Sequence, residues 1–397
     1  MNAENRYDTA HAIANLLHGA VEVEKTPTGV RTHRLPARAR AQAADPQLDF
    51  AESQPSGVRL VFRTDATFVE LRASAHRFGF KGLPPRPDGV FDLVIDGRLA
   101  AQHSLDTATA STIDPATGGT DTEPGGVGTL RFDRLPAGDK HVEIWLPHNE
   151  TVELASLSAD APLHPVRSSR PVWVHHGSSI SQGSNAEHPT GTWPAIAASL
   201  GGVELVNLGF GGSALLDPFT ARAIRDTPAD LISLKLGINV VNADLMRRRA
   251  FVPAVHGFLD TIRDGHPDTP LLVVSPLCCP IHEDTPGPGD FDRDALAEGE
   301  LRFRATGDPA ESGSGKLTLA VIREELSRVV DQRADPNLHY LDGLQLYGEA
   351  DAVESPMPDR LHPDAETHRL IGRRFAELAF ARDGAGFAPG LRKEPSA

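Results

Sequence analysis

The sequence predicts an α/β protein in which an antiparallel, jelly-roll-like β-sandwich precedes a three-layer α/β/α domain with a parallel sheet. In the first half, short segments of alternating apolar and polar residues are separated by clusters of Gly, Pro, Asp and Thr, which is typical of sandwiches. In the second half, strand-like runs alternate with segments of helical period, which indicates a parallel sheet covered by helices. We expect the sandwich domain over 1–165, the α/β domain over 166–385 and a tail over 386–397.

The elements of the first half are predicted strands, because β-branched residues and period-two alternation recur in each. They cover 21–25, 29–35, 57–64, 68–75, 90–97, 129–132, 141–147 and 151–157. Helical periodicity is nearly absent from this half. The stretch 107–128 is rich in Thr, Gly, Asp and Pro and has no apolar period, which predicts a long exposed loop.

In the second half, strands and helices are predicted in alternation. The strands cover 171–177, 203–209, 230–237, 270–276 and 338–343, and the helices cover 193–200, 218–225, 248–264 and 316–332. A closing helix is expected after Pro363, since proline is favoured in the first helical turn. The segment 277–315 is too long for an ordinary connection and includes a possible short helix at 296–304. Its position after a central strand favours a lid or a binding loop.

Composition excludes several classes of partner. The chain has 39 basic and 54 acidic residues and a formal net charge of −15 at pH 7. Because nucleic-acid binding depends on clustered basic residues, no nucleic-acid partner is expected. No apolar run is long enough to span a membrane, and the N-terminal residues do not resemble a secretory signal. With only two cysteines, which are adjacent, no disulfide framework forms, so a cytoplasmic setting is expected. No pattern fixes the oligomeric state.

Unusual residues follow three of the predicted strands, and a fourth unusual stretch lies just before the closing helix. A small-residue turn, Gly177–Gly183, follows the first strand of the second half, and the glycine-rich stretch Asn207–Gly212 follows the second strand. The third strand ends in Gly237-Ile238-Asn239, and Asp359-Arg360-Leu361-His362 lies just before the closing helix. Because ligands of open α/β sheets bind beyond the carboxyl ends of the strands, these stretches are the candidate site.

The residue types in these stretches suit acyl transfer through a serine. A serine hydroxyl needs a base during attack, and histidine suits this task because its pKa lies near neutral pH. A carboxylate holds the histidine in the required tautomer, and fixed donors stabilise the oxyanion of the tetrahedral intermediate. Ser179, His362 and Asp359 supply the first three groups. The backbone N–H groups of Ser179 and Gly212 and the side-chain amide of Asn239 supply the oxyanion donors.

Each motif alone has an ordinary structural explanation. The Gly-Ser-Ser-Ile-Ser stretch is a common turn, and the Asp-x-x-His stretch could cap the following helix. The glycine-rich stretch could bind nucleotide phosphates, but it lacks the downstream acidic residue of a Rossmann fold. The joint occurrence of the motifs in one order favours the catalytic interpretation.

These blocks resemble the SGNH hydrolases, also called the GDSL-like lipase and acylhydrolase superfamily. Its four hallmark blocks contribute Ser, Gly, Asn and His in the order found here, over about 172–381. The resemblance implies Ser179, Asp359 and His362 as the catalytic triad, Ser179, Gly212 and Asn239 as the oxyanion hole, and no metal or organic cofactor. Two departures, Ser178 in place of the usual Asp and the lack of an Asp after Asn239, leave the substrate subfamily open.

The first half resembles the β-sandwich that precedes SGNH domains in certain bacterial esterases. The stretch Gly89-Val90-Phe91-Asp92-Leu93 is similar to the GxDLY pattern of one such module, although Val94 stands where Tyr is expected. Carbohydrate esterases of family two are similar in having a jelly roll before the hydrolase domain. This similarity makes a sugar ester one candidate substrate class.

The cluster after the fourth strand of the sheet superficially suggests a metal site. It contains Cys278, Cys279, His282 and Glu283. Adjacent cysteines lack the separation of structural zinc sites, so we expect no metal here. We expect 276–284 to shape the substrate pocket instead, with His282 or Glu283 contacting substrate.

Three hypotheses for function follow. The first is a serine-dependent carboxylic-ester hydrolase that forms an acyl-enzyme and acts on a small-molecule acyl ester such as an acetylated sugar or natural product. The second is an intracellular acyltransferase or thioesterase that uses the same Ser-His-Asp site, because excluding water lets another nucleophile attack the acyl-enzyme. The third is an inactive hydrolase fold with a carbohydrate-binding sandwich.

Overall fold

A computed structural model describes residues 5–7, 10–43, 45–114, 117–380 and 387 of the chain. The predicted tail 386–397 lies outside the described residues, apart from Phe387. Two compact units are formed. The first contains the described residues of 1–36, 52–169 and 187–190, and the second contains those of 37–51, 170–186 and 191–397. This division differs from the predicted boundary in two segments, 37–51 and 187–190.

The first unit is a β-sandwich, as predicted. Its strands are β1 (Asn5–Tyr7), β2 (Leu17–His18), β3 (Glu22–Lys25), β4 (Val30–His33), β5 (Arg59–Thr64), β6 (Phe68–Phe80), β7 (Val90–Ile95), β8 (Arg98–Ser104), β9 (Thr109–Ile113), β10 (Thr120–Glu123), β11 (Gly128–Asp133), β12 (Lys140–Trp145), β13 (Thr151–Ala159) and β14 (His164–Pro165). One sheet has the order β10-β9-β6-β13-β4-β3 with β1 on β13 and β11 on β6, and the other has the order β14-β5-β12-β7-β8 with β2 on β5. All pairs are antiparallel except β6 with β9.

Side chains from both sheets form one apolar core. Leu71 of β6 and Phe132 of β11 come from one sheet, and Phe62 of β5 and Phe91 of β7 come from the other. Each is 1% exposed or less. In strands such as β11, buried and exposed residues alternate, which is why the period-two pattern predicted this unit.

Two expectations for the first half are wrong. The predicted loop 107–128 contains strands β9 and β10, which pair with each other. Three short helices also occur before residue 54, at α1 (Ala10–Ala14), α2 (Ala37–Ala43) and α3 (Pro46–Ser53). The segment 37–51 groups with the second unit, because Arg38 forms an ion pair with Asp226 and Gln42 accepts a hydrogen bond from Arg222.

The second unit is the predicted three-layer α/β/α domain. Its parallel sheet has the order β16-β15-β17-β18-β21. These strands are β15 (Val172–Gly177), β16 (Glu204–Gly209), β17 (Leu231–Lys235), β18 (Leu271–Val274) and β21 (Leu338–Leu341). The helices are α4 (Ser179–Gln182), α5 (Trp193–Gly201), α6 (Pro218–Asp226), α7 (Ile238–Asn242), α8 (Arg248–Arg263), α9 (Arg293–Ala297), α10 (Leu319–Arg333), α11 (Glu349–Glu354) and α12 (Ala365–Ala379), with 3₁₀ turns at Pro189–Gly191, Pro309–Ser314 and Gly343–Gln345.

The two faces of the sheet are covered by different helices. Trp173 of β15 stacks on Phe375 of α12 at 5.2 Å between ring centroids, and His176, three residues later, stacks on Phe258 of α8 at 5.8 Å. Residues of odd and even number on a strand point to opposite faces, so these contacts place α12 and α8 on opposite sides of the sheet. The strands are buried on both faces and therefore have nearly continuous apolar sequences.

The long insertion is ordered around a hairpin of β19 (Gly289–Phe291) and β20 (Phe303–Ala305). The short helix expected at 296–304 instead covers Arg293–Ala297. It begins after Asp292, whose side chain accepts the N–H of Ala295, and it is followed by Gly299 at a φ of +83°. Among the residues that the structure describes, every helix is too short or too polar to traverse a bilayer.

Candidate active site

The nucleophile candidate lies where β15 ends. Ser178 occupies the N-cap position of α4, and Ser179 is its first residue. The turn fits closely against the neighbouring strand, because a Cβ at Gly209 would lie only 2.5 Å from the backbone nitrogen of Gln182. Glycine at this position therefore allows α4 to pack against the end of β16. Ser179 is half-buried, which leaves part of its surface open to solvent.

The structure brings Ser179, His362 and Asp359 together in one hydrogen-bonded line. Ser179 Oγ lies 2.9 Å from His362 Nε2, and His362 Nδ1 lies 2.8 Å from Asp359 Oδ2. Because a carboxylate can only accept, Nδ1 carries the proton and Nε2 is left to accept the serine O–H. The serine and the histidine are 183 residues apart in sequence, so the fold creates this contact.

Asp359 is held as an anion by its surroundings. Its Oδ1 accepts the backbone N–H groups of Leu361 at 2.9 Å and His362 at 2.6 Å. Burial alone would raise the pKa of Asp359, but the hydrogen bond and charge of His362 and the two backbone donors outweigh it, so this pKa lies below its usual value. The carboxylate is therefore ionised at neutral pH and orients the imidazole.

The amide of Asn239 is oriented by a backbone contact. Its Oδ1 accepts the N–H of Ala214 at 3.1 Å, which leaves the Nδ2 N–H groups as donors. Asn239 lies in α7, which begins directly after Gly237, and Gly237 has a φ of +120°. A Cβ at Gly237 would also lie 2.7 Å from Ile322 Cγ2, so only glycine allows this turn.

The second predicted oxyanion donor, Gly212, lies in the loop after β16. It has a φ of +74°. Its neighbour Gly211 faces the nucleophile, since a Cβ there would lie 3.6 Å from Ser179 Cβ. The loop is fixed on both sides, because the N–H of Gly211 donates to Gln182 at 2.7 Å and its carbonyl accepts from Gln47 at 2.9 Å. Gln47 belongs to α3, which the sequence patterns did not reveal.

A buried polar network lies beneath α4. His175 is fully buried, and its Nδ1 and Nε2 lie 2.7 Å from Ser233 Oγ and 2.8 Å from Ser181 Oγ. Burial, together with the charges of His176 and Lys235, holds the pKa of His175 well below its usual value. This neutral histidine therefore links β17 to the helix that carries Ser179.

His282 and Glu283 each make contacts within the protein. His282 is 0% exposed, and its Nδ1 lies 3.1 Å from the carbonyl of Thr285. Glu283 accepts the N–H of Cys279 at 2.8 Å and forms an ion pair with Arg323. The expectation that His282 or Glu283 contacts substrate stays a prediction. Within the described parts of the chain, His, Cys, Asp and Glu side chains do not gather in groups of three or more that could hold a metal ion.

The hairpin of the insertion lies against the loop that carries the acid and the base. The N–H of Phe303 donates to the carbonyl of Asp359 at 2.9 Å. The ring of Phe303 meets the imidazole of His362 edge-on at 5.5 Å and packs against Phe291 at 5.1 Å. Phe303 is half-buried. No pattern in the sequence indicated this contact, because the hairpin lies within an irregular insertion.

Comparisons with known proteins agree with this architecture. The profile of the GDSL-like Lipase/Acylhydrolase family matches residues 169–278, and that of the SsfX3 N-terminal domain matches residues 16–154. The chain is similar to the solved structure of the salicylyl-acyltransferase SsfX3 from a tetracycline biosynthetic pathway. That similarity has 28% identity and a TM-score of 0.73, and it covers 94% of this chain and 96% of that chain.

More distant structures share the fold. A family two carbohydrate esterase from Clostridium thermocellum is 13% identical with a TM-score of 0.57, covering 91% of this chain and 97% of that chain. One from Cellvibrio japonicus is 12% identical with a TM-score of 0.55, covering 95% and 97%. At these identities the likeness concerns the fold alone. A search of curated proteins finds no match.

Proposed function

Because the chain carries a GDSL-like lipase/acylhydrolase (SGNH) domain behind an SsfX3-type N-terminal domain, we propose that it is an acyltransferase. Ser179 takes an acyl group from a thioester or activated ester and passes it to the hydroxyl group of a small molecule. The hydrogen-bonded line from Ser179 through His362 to Asp359 supports the acyl-enzyme chemistry. The observation that carries the choice of transfer is the similarity to SsfX3 over both domains.

In the first half-reaction, Ser179 Oγ attacks the donor carbonyl while His362 Nε2 takes the serine proton. The resulting imidazolium is stabilised by Asp359, whose carboxylate accepts from Nδ1. When the tetrahedral intermediate collapses, the bond to the leaving group breaks, and His362 returns the proton to the departing thiolate or alkoxide. The product of this step is an ester between the acyl group and Ser179.

The oxyanion of the tetrahedral intermediate needs fixed donors. We assign this role to the backbone N–H groups of Ser179 and Gly212 and to the side-chain amide of Asn239. Such donors act because they are already oriented when negative charge develops, and losing one typically costs about 2.7 to 4 kcal/mol of barrier. The bond from Ala214 to Asn239 Oδ1 supplies that orientation for the amide.

In the second half-reaction, the acceptor hydroxyl attacks the acyl-enzyme. His362 takes the proton of the acceptor, the bond between the acyl group and Ser179 breaks, and the proton passes back to Ser179 Oγ. Water can replace the acceptor, and the net reaction is then ester hydrolysis. The chemistry of the site is the same in both cases. Whether the acyl group is transferred or hydrolysed therefore depends on whether the acceptor hydroxyl or water reaches the acyl-enzyme.

Similarity to a salicylyl-acyltransferase over both domains supports transfer in preference to hydrolysis. The likeness to carbohydrate esterases does not support a sugar ester with equal weight, because it concerns the fold alone. We therefore propose a small aromatic acyl thioester as the first donor to test. The intact line of Ser179, His362 and Asp359 disfavours the hypothesis of an inactive hydrolase fold.

The decisive test measures how the acyl group is partitioned. The protein is given salicylyl N-acetylcysteamine thioester, with and without a panel of phenolic and aliphatic alcohols, and products are separated by mass spectrometry. We expect new ester in preference to free salicylate when a suitable alcohol is present. Free acid alone across the whole panel would support the hydrolase instead. Ser179→Ala should abolish turnover and fluorophosphonate labelling, and Ser104→Ala, which changes an exposed serine of the sandwich, should not.

A further inference from the structure

The carboxylate of Asp359 accepts one hydrogen bond from outside the loop that contains Asp359 and His362. Asn185 Nδ2 donates to Asp359 Oδ2 at 3.2 Å, which is the same oxygen that accepts from His362 Nδ1. With the two backbone donors on Oδ1, the carboxylate therefore accepts four hydrogen bonds, which is its full capacity. Asn185 is the donor that joins this carboxylate to the segment following Ser179.

The backbone around Asn185 is fixed without the help of its side chain. Asn185 has a φ of +65°, in the left-handed region that Asn tolerates better than most residues. The N–H of Ser184 donates to the backbone carbonyl of Ser179 at 3.0 Å, and the N–H of Ala186 donates to the backbone carbonyl of Gly183 at 2.9 Å. These bonds lie on either side of Asn185. The loop therefore presents the amide to Asp359 and does not depend on the amide for its own shape.

A second support for this loop comes from α12. His368 Nδ1 accepts the N–H of Trp193 at 3.2 Å, so its Nε2 carries the proton and donates to the carbonyl of Ser184 at 3.0 Å. Burial lowers the pKa of His368 to about 4, so this histidine is neutral at physiological pH. The residue before Asn185 is thus anchored by a group that carries no charge.

We propose that Asn185 is a positioning residue for the acid of the active site. Its amide holds the Asp359 carboxylate in line with His362 while the imidazole gains and loses a proton, and it ties the acid loop to the nucleophile loop. It acts through Asp359 and does not touch the reacting atoms. This inference rests on the proposed acyl-enzyme chemistry.

Two substitutions separate the side chain from the backbone. Asn185→Gly removes the amide but accepts the positive φ, so the loop keeps its conformation. Asn185→Asp keeps the size and the tolerance of positive φ but replaces the donor with an anion. Asn15→Asp is the control, because it places the same new charge at another exposed asparagine, in the sandwich unit.

The readout is the pH profile of kcat/KM for p-nitrophenyl acetate, with the rate of fluorophosphonate labelling. For Asn185→Gly we expect a loss of about tenfold in kcat/KM, the scale of one hydrogen bond to a charged group, with KM nearly unchanged. For Asn185→Asp we expect the acidic limb of the profile to move to higher pH, because a second carboxylate stabilises the protonated imidazole.

Other charged or titratable groups near the imidazole are unchanged in these variants, so they do not cause such a shift. Among the described residues these groups include Asp359 and His368, which interact with His362, as well as Cys279 beside Asp359 and the ion pair of Arg360 with Asp292 in the same loop.

The inference is overturned if both variants stay within twofold of the wild type and their acidic limbs coincide with it. Unaltered profiles in Asn15→Asp and unaltered thermal unfolding in all variants are required for the positive result, since a general loss of folding would lower the rate without moving the limb. Failure of the acyl-enzyme chemistry, on which this inference rests, looks different. In that case Ser179→Ala itself would remain active, whatever the Asn185 variants do.

Discussion

Replacing Asp359 with Asn tests the central hydrogen-bonded line with little change in shape. The Asn oxygen can still accept the N–H groups of Leu361 and His362, so the loop should keep its fold. The Asn nitrogen, however, would replace the oxygen that now accepts from His362 Nδ1. Because the amide nitrogen donates, the imidazole would turn to the tautomer with its proton on Nε2. A protonated Nε2 cannot take the proton of Ser179.

The expected loss is large because tautomer and charge act together. Wrong tautomers of this kind lower kcat by about 10⁴-fold, which at about 1.36 kcal/mol per factor of ten is about 5.4 kcal/mol of barrier. Asn185 adds to the effect, since its donor would then face another donor across the 3.2 Å contact. Steady-state turnover of p-nitrophenyl acetate and the second-order rate of fluorophosphonate labelling should fall together.

Stability provides the control for this prediction. The variant keeps both backbone hydrogen bonds of the loop, so its thermal unfolding should lie close to that of the wild type. A loss of less than tenfold in a folded variant would refute the assignment of Asp359 as the group that orients His362. Loss of activity together with loss of folding would instead show that the loop needs the charge for its structure.

Two further substitutions test neighbouring parts of the site. Asn239→Ala removes the amide that Ala214 orients and should lower kcat by about 10²- to 10³-fold with a small change in KM; an effect below fivefold in steady-state kinetics would exclude it from the oxyanion hole. His368→Gln can keep the contacts to Trp193 and Ser184 but does not titrate. The pKa of His368 is lowered to about 4, so the unfolded state binds its proton first as pH falls. The wild type should therefore lose about 3 kcal/mol of unfolding free energy relative to the variant between pH 6.5 and 4, as measured by urea denaturation, and a constant difference would contradict this.

The sequence predicted the strands and helices that bury one or both of their faces in the core. All five strands of the parallel sheet lie within the predicted segments. They could be recognised because a strand that is buried on both faces has a nearly continuous apolar sequence. Strands β8 and β10 were missed for the opposite reason. Nearly every residue of β8 and every residue of β10 is exposed, so no alternation marks them. Helix α2, with the sequence ARARAQA, was missed because only Ala39 of it is buried and it has no apolar stripe.

The same distinction applies to the active site. Ser179 and His362 could be predicted as candidates because serine, histidine and aspartate chemistry requires particular residue types in recognisable blocks, and the structure places their side chains in contact. No sequence motif marks Asn185 or Phe303. Other residues with a hydrogen-bond donor or an aromatic ring at these two positions could make the same contacts to Asp359 and His362. Their roles depend on which loops the fold brings together. Substrate contact by His282 or Glu283 stays a prediction, because proximity in sequence to a strand end does not determine whether a side chain points outward or inward.

The contacts of the insertion decide how far it can move as a lid. Arg360 has a φ of +68°, a conformation that costs an L-residue about 1 to 2 kcal/mol, so the acid loop needs support from outside. The Phe303 N–H supplies one support, and the Cys279 thiol supplies another by donating to the carbonyl of Arg360 at 3.5 Å. Burial, with the nearby Cys278 and Asp359, raises the pKa of Cys279 to about 12, so the thiol keeps its proton and remains a donor. Any opening that carried β20 away would break the bond to Asp359 and loosen the loop that orients His362. We therefore expect the hairpin to stay in place during the proposed reaction, with substrates exchanged past its half-buried aromatic side chains.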